Sequence, residues 1–138
     1  MTGPSRKRRR RNGNRDSLKV ALAFVERINA QDVDGLCALM TANHRFVDPT
    51  GRVHVGRERM RGAWRDYFTM FPDYRITISD SFRSGARGAL FGTTRASYAP
   101  NGIRVAMHAA WRAVVRDKRL AEWRVCADNE PARAAMRR

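Results

Sequence analysis

The chain has 138 residues, with 28 basic against 13 acidic side chains and a formal charge of +15. That length suits one domain with a single core of moderate size, and no window approaches the roughly 18 to 20 apolar residues of a membrane span. Two cysteines, Cys37 and Cys126, are too few for a disulfide scaffold and lack partners at zinc-site spacing, so neither a metal nor a cofactor is called for and a reducing cytoplasm is the compartment that fits.

Residues 1 to 15, "MTGPSRKRRRRNGNR", carry Arg6, Lys7, Arg8, Arg9, Arg10, Arg11 and Arg15 and almost nothing apolar. Such a segment buries too little surface to offset the entropy of ordering, and it reads as a disordered basic tail. It is either a solubilising extension or an arm for nucleic acid or another polyanion. All but three of the basic residues are arginine, a bias that base composition of a genome can produce without a functional cause. The charge predicts salt-dependent attraction of anions but locates no site.

The domain proper is expected over residues 16 to 130, followed by a C-terminal tail over 131 to 138. After Asp16 or Ser17 as N-cap, Leu18, Leu22, Val25 and Ile28 recur at helical spacing. The run "LKVALAFV" resembles a signal peptide only superficially, because Glu26 and Arg27 cut it. Asp32 or Asp34 opens a shorter helix with Val33, Leu36, Leu39 and Met40. A turn, "FVDPTG", precedes a third helix whose stripe is Met60, Trp64, Tyr67, Phe68 and Phe71, and Pro72 ends it.

After Pro72 the pattern changes to "YRITISDSF", "GALFGTTRASY", "IRVAMHAAWRAVV" and "RLAEWRVCA", strand-like runs separated by "RSGARG", "APNG" and "RDK". Three N-terminal helices followed by a meander predict an α+β domain, the helices packed on one face of a curved four- to five-stranded antiparallel sheet. The run around Phe46 and Val47 adds an edge strand in that plan.

The order of "FVDPTG", "GRERMRGAWRDYF", "FPDYRITI" and "RLAEWRVCADN" resembles the nuclear transport factor 2-like superfamily, and within it the SnoaL-like, polyketide-cyclase-like family. The resemblance covers residues 17 to 130 and implies a cone with an apolar pocket between sheet and helix. It implies much less about activity, because such folds host isomerases, cyclases, hydrolases and binding proteins.

Asp48 falls where the steroid-isomerase branch carries its general base, an aspartate directly before a proline, so the resemblance implies a proton-transfer role for it. Residue chemistry alone also allows a second reading, in which Asp48 only starts the Pro49–Gly51 turn. The donors of that branch are missing, since Phe24, Met40 and Trp64 stand at its tyrosine positions and Ala110 at its acid. Val125 likewise replaces the aspartate that the epoxide-hydrolase branch carries in "WRVCAD".

His108 is then the expected donor, a second catalytic candidate beside Asp48. On its strand Ala106, His108, Ala110 and Arg112 share one face, while Met107, Ala109, Trp111, Ala113 and Val115 share the other. The resemblance points the His108 face into the pocket; hydrophobicity alone points the Trp111 face inward, and a one-residue slip exchanges the two. The expected pocket comprises Phe24, Trp64, Phe68, Ala110, Arg112, Trp123 and Val125, with a sheet-face homodimer covering the opposite side.

His44 and His54, on either side of the turn, read as ordinary surface histidines, and Glu122 as a surface or interface residue. The expected function is a small-molecule pocket protein, of isomerase, cyclase or hydrolase type, acting on an apolar ligand that bears a carbonyl. The alternative is a non-catalytic ligand-binding or dimerisation domain whose basic tail binds a polyanion.

Overall fold

The computed structural model describes residues 17–127 and 134–137; the basic tail lies outside them. Helix α1 occupies residues 17–29. It stops where Gln31 takes a left-handed φ of 56°, and Asp32 then caps α2, Val33–Leu39, its side chain accepting from the Gly35 N–H. Helix α3, Arg57–Met70, starts after Gly56 at φ 113°, buries Met60, Trp64 and Phe68, and ends before Pro72.

Six strands form one sheet: β1 Met40–Val47, β2 Val53–Val55, β3 Arg75–Ser84, β4 Arg87–Ser97, β5 Arg104–Arg116 and β6 Arg119–Ala127. Their order is β2-β1-β6-β5-β4-β3. The expected α+β plan of helices on a curved sheet holds, with three corrections. The sheet has six strands rather than four or five. The run at Phe46 and Val47 is no edge strand, because β1 starts directly at the end of α2 and is flanked by β2 and β6. Its pairing with β6 is parallel, so the sheet is not purely antiparallel.

The physical reason is local. "MTANHRFV" places only Met40, His44 and Val47 in the interior, so it lacks the clean period-2 apolar signature. What fixes it is His44, whose ring Nδ1 lies 2.8 Å from the Leu120 carbonyl of β6, while its own carbonyl accepts from the Gly56 N–H at 2.9 Å.

The core lies between the helices and one sheet face. Phe24 of α1 is fully buried against Trp123 at 4.9 Å and Trp64 at 6.1 Å, and Trp111 stacks on Trp123 at 6.4 Å. Asn29 near the end of α1 donates to the Ile76 carbonyl and accepts from the Ile76 N–H. Those bonds satisfy part of the β3 edge, which otherwise offers unpaired backbone groups. Gly92 on β4 faces a bulge in β3, and a Cβ there would lie 1.9 Å from the Thr77 carbonyl oxygen. Only glycine allows that approach.

Candidate functional site

A cavity of about 280 Å³ opens between α3 and the sheet. Trp111, Trp123 and Val125 line it from the sheet, Met60, Trp64 and Tyr67 from α3, and Asp48 and Pro49 from the turn after β1. Phe46, Ala63, Ile76 and Tyr74 complete the wall. It is an apolar, aromatic recess with few polar groups, the usual composition of a small-molecule site.

The register decides which predicted residues reach it. Trp111 pairs with Val125 and Ala113 with Trp123, whereas Ala110 pairs with Cys126 and Arg112 with Arg124. Directly paired residues share a face, so placing Trp123 and Val125 inward forces Ala110 and Arg112 outward. His108 is exposed on that outer face. The inward face is the strongly apolar one, Ala109, Trp111, Ala113 and Val115, all buried. The expected His108-facing register is therefore reversed, because burial of that run outweighs the space offered by small alanines.

Of the expected pocket set, Trp64, Trp123 and Val125 line the cavity with Asp48. Phe24 and Phe68 are buried behind it, each packed against Trp64. Ala110 and Arg112 are on the other side of the sheet. There Arg112 donates to Glu122 at 2.8 Å, and Arg45 lies 3.6 Å from the same carboxylate. Glu122 is thus the shared counter-ion of two arginines, its side chain only 12% exposed.

The Asp48 carboxylate divides its work between its two oxygens. Oδ1 accepts from the Thr50 N–H at 2.9 Å, the Thr50 hydroxyl at 2.5 Å and the Arg52 N–H at 3.0 Å. Those bonds, with Gly51 at φ 88°, close the turn, so the turn-forming role read from "DPTG" is real. Oδ2 lies 3.0 Å from Nε2 of His54 on β2. Burial pushes the Asp48 carboxyl up, but the Thr50 hydroxyl, the His54 ring and the Arg52 and Thr50 N–H groups outweigh it and hold the group at about 2.

Tyr67 and Tyr74 are the site residues that the sequence reading missed. Their rings meet edge to face at 5.0 Å. Burial raises the Tyr67 hydroxyl while a hydrogen bond from Tyr74 eases it; burial, with Tyr67 adding, raises Tyr74 well above the phenol range. The two hydroxyls interact with each other, and either can donate or accept. The signal was a tyrosine in the otherwise apolar stripe of α3, since a buried phenol needs a partner.

His44 is not the surface residue expected, whereas His54 is partly exposed. His44 is fully buried, with Nε2 lacking any partner among the described residues. Burial lowers its pKa, partly countered by the Leu120 carbonyl and Glu122. Among the described residues no group of three or more His, Cys, Asp or Glu is arranged to hold a metal ion, and no helix is long and apolar enough to cross a membrane. Both cysteines are free thiols, Cys37 buried and Cys126 exposed.

Solved structures with this architecture are numerous, and three of them, each distant in sequence, are similar over most of the chain. IdmH from Streptomyces antibioticus, a candidate polyketide cyclase, superposes with a TM-score of 0.72 at 22% identity, over 88% of this chain and 99% of that one. An LEH-like epoxide hydrolase from M. tuberculosis gives 0.75 at 18% identity, over 83% and 84%. A hypothetical protein with a ketosteroid isomerase-like fold from Catenulispora acidiphila gives 0.71 at 18%, over 77% and 82%. No curated protein sequence matches the chain. The model of the SnoaL-like domain matches residues 21–123, a span from α1 to the Trp123 wall of the cavity, and the chain therefore belongs to the SnoaL-like domain family.

Proposed function

We propose that the cavity binds an apolar carbonyl compound and that Asp48, with His54, moves a proton at the carbon next to that carbonyl. The supporting observation is the placement of one ionised carboxylate, Asp48, and one phenol, Tyr67, on the wall of the same apolar recess. In this reading Asp48 Oδ2 accepts the carbon-bound proton. The His54 ring bonded to Oδ2 helps keep the carboxylate ionised and fixed on the cavity wall. The Tyr67 hydroxyl, ordered by Tyr74, donates to the developing enolate oxygen, the role first assigned to His108.

An enolate formed there either takes the proton back at another carbon, which is isomerisation, or attacks a second carbonyl of the same ligand, which is cyclisation. Both outcomes suit relatives described as cyclase or isomerase-like. Deuterium incorporation tests the chemistry without the natural substrate. With 2-tetralone as probe in D2O, NMR should show chain-dependent deuteration next to the carbonyl, reduced at least about a hundredfold in Asp48→Asn. Equal rates in parent and variant would overturn the proposal.

The outer sheet face supports a second reading, of assembly. Phe82 and Phe91, 61% and 44% exposed, pack edge to face at 6.0 Å beside Ala89 and Ala110. An exposed aromatic pair on an outer sheet face is better covered by a second copy than left to water. A homodimer through this face is compatible with the enzyme reading, since the cavity opens on the opposite side.

A further inference from the structure

At the far end of that outer face, away from Phe82 and Phe91, lies a groove of about 400 Å³ lined by Arg75, Arg95 and Arg104 together with Asp73 and Ser97. Arg75 and Arg95 are directly opposed on β3 and β4. Arg95 opposes Ala106 and Ser97 opposes Arg104 on β4 and β5, so Arg104 is the diagonal neighbour of Arg95. Directly opposed side chains are about 5 Å apart at Cβ and diagonal ones about 7 to 8 Å. Three guanidinium groups thus share one small area.

Like charges directly opposed on a sheet are destabilising, and the chain handles a comparable case differently. Arg112 and Arg124 are also a direct cross-strand pair, but Glu122 sits beside them, bonded to Arg112 and close to Arg45. Among the described residues, Arg75, Arg95 and Arg104 form no ion pair. The one carboxylate in the groove, Asp73, accepts from the Ser97 N–H at 2.6 Å, which occupies part of its acceptor capacity. Arg104 acts on it only through space. Three arginines against one carboxylate leave the groove with a net positive charge that no other carboxylate among the described residues pairs with.

We propose that this groove is a binding site for a phosphate group carried by a small molecule, separate from the apolar cavity on the other face. Planar guanidinium forks match phosphate oxygens two at a time, and three of them around one recess suit a mono- or diphosphate ester better than a lone carboxylate. Ser97 lies on the outward face of β4 between Arg95 and Arg104, its hydroxyl and N–H both turned to Asp73, which holds that carboxylate to one side of the arginines. Occupancy removes the Arg75–Arg95 repulsion, so the site is a feature that costs stability when empty and restores it when filled.

Inorganic pyrophosphate is the probe, titrated calorimetrically into the full chain at constant ionic strength. The parent is expected to bind it, Arg95→Gln to bind at least about tenfold more weakly, and Arg116→Gln, at the opposite end of β5, to change less than about twofold. Pyrophosphate should also raise the parent's Tm. Arg95→Gln relieves the cross-strand repulsion and should melt no lower than the parent; Arg104→Gln serves as a second variant. Equal weakening in Arg95→Gln and Arg116→Gln would mean that the general basic field attracts the anion and would overturn the site. No binding at millimolar pyrophosphate would overturn it too. A single-stranded oligonucleotide that binds in an Arg95-dependent way while pyrophosphate does not would replace the small ligand with nucleic acid.

Discussion

Oδ2 of Asp48 and Nε2 of His54 lie 3.0 Å apart across the turn that joins β1 to β2. The pair couples a residue on the cavity wall to a ring that is partly exposed. The loop that holds the carboxylate is closed by its other oxygen.

The Asp48 bonds should also be visible in stability. The group's folded pKa, about 2, is below its ordinary 3.8. Its contribution is therefore complete above pH 4 and lost as pH falls through 2. Asp48→Asn should cost on the order of 1 to 3 kcal/mol at pH 7, the range for hydrogen bonds to a charged group. Urea unfolding followed by tryptophan fluorescence should show the gap between parent and variant narrowing between pH 4 and 2. A gap that does not change with pH would place the effect elsewhere.

Tyr67→Phe removes the phenol proton from the cavity while keeping the ring that packs on Trp64 at 6.0 Å. The rate of 2-tetralone deuteration should fall about a hundredfold, with unfolding hardly changed. Tyr74→Phe should reduce the rate less, because it only orders the donor. A Tyr67→Phe enzyme as fast as the parent would assign the donor to another group.

His44 should make the fold sensitive to mild acid. Its folded pKa is lowered from 6.5 by burial, so the unfolded chain takes up the proton first. Stability is complete above about pH 6.5 and declines below it by up to about 1.4 kcal/mol per pH unit. His44→Gln should flatten that slope between pH 6.5 and 5, in a series of urea midpoints. A slope equal to the parent's would point to other groups.

Phe91→Asp should turn the proposed dimer into a monomer, because the exposed pair with Phe82 would gain a charge at its centre. Sedimentation equilibrium distinguishes the two masses. A parent that is monomeric at high micromolar concentration would remove the sheet face as an interface, leaving the cavity chemistry untouched.

The helices were legible because their apolar stripes follow a 3.6 period, and Trp64 and Phe68 were placed correctly in the interior on that ground alone. The four long strands were legible from β-branched and aromatic runs bounded by turn residues. β1 was read as an edge because "MTANHRFV" carries its information in a buried histidine rather than in alternation. His108 was turned the wrong way because strand period gives two faces without saying which is inside. The local hydrophobic contrast between Trp111 and His108 had the answer. Tyr67 and Tyr74 meet only because the end of α3 and the start of β3 converge, a relation that spacing along the chain does not encode.

The parallel pairing of β1 with β6 joins Val47 to Arg124 and Phe46 to Trp123, partners separated by most of the domain. This high contact order puts the assembly of the Asp48 wall late in folding. On the ribosome, the turn bearing Asp48 emerges early and can pair only with the short β2 until β6 has been synthesised. A nascent chain stopped before Arg119 therefore carries the Asp48–His54 pair without the Trp123 and Val125 wall of the cavity, and the proposed chemistry belongs only to the finished domain.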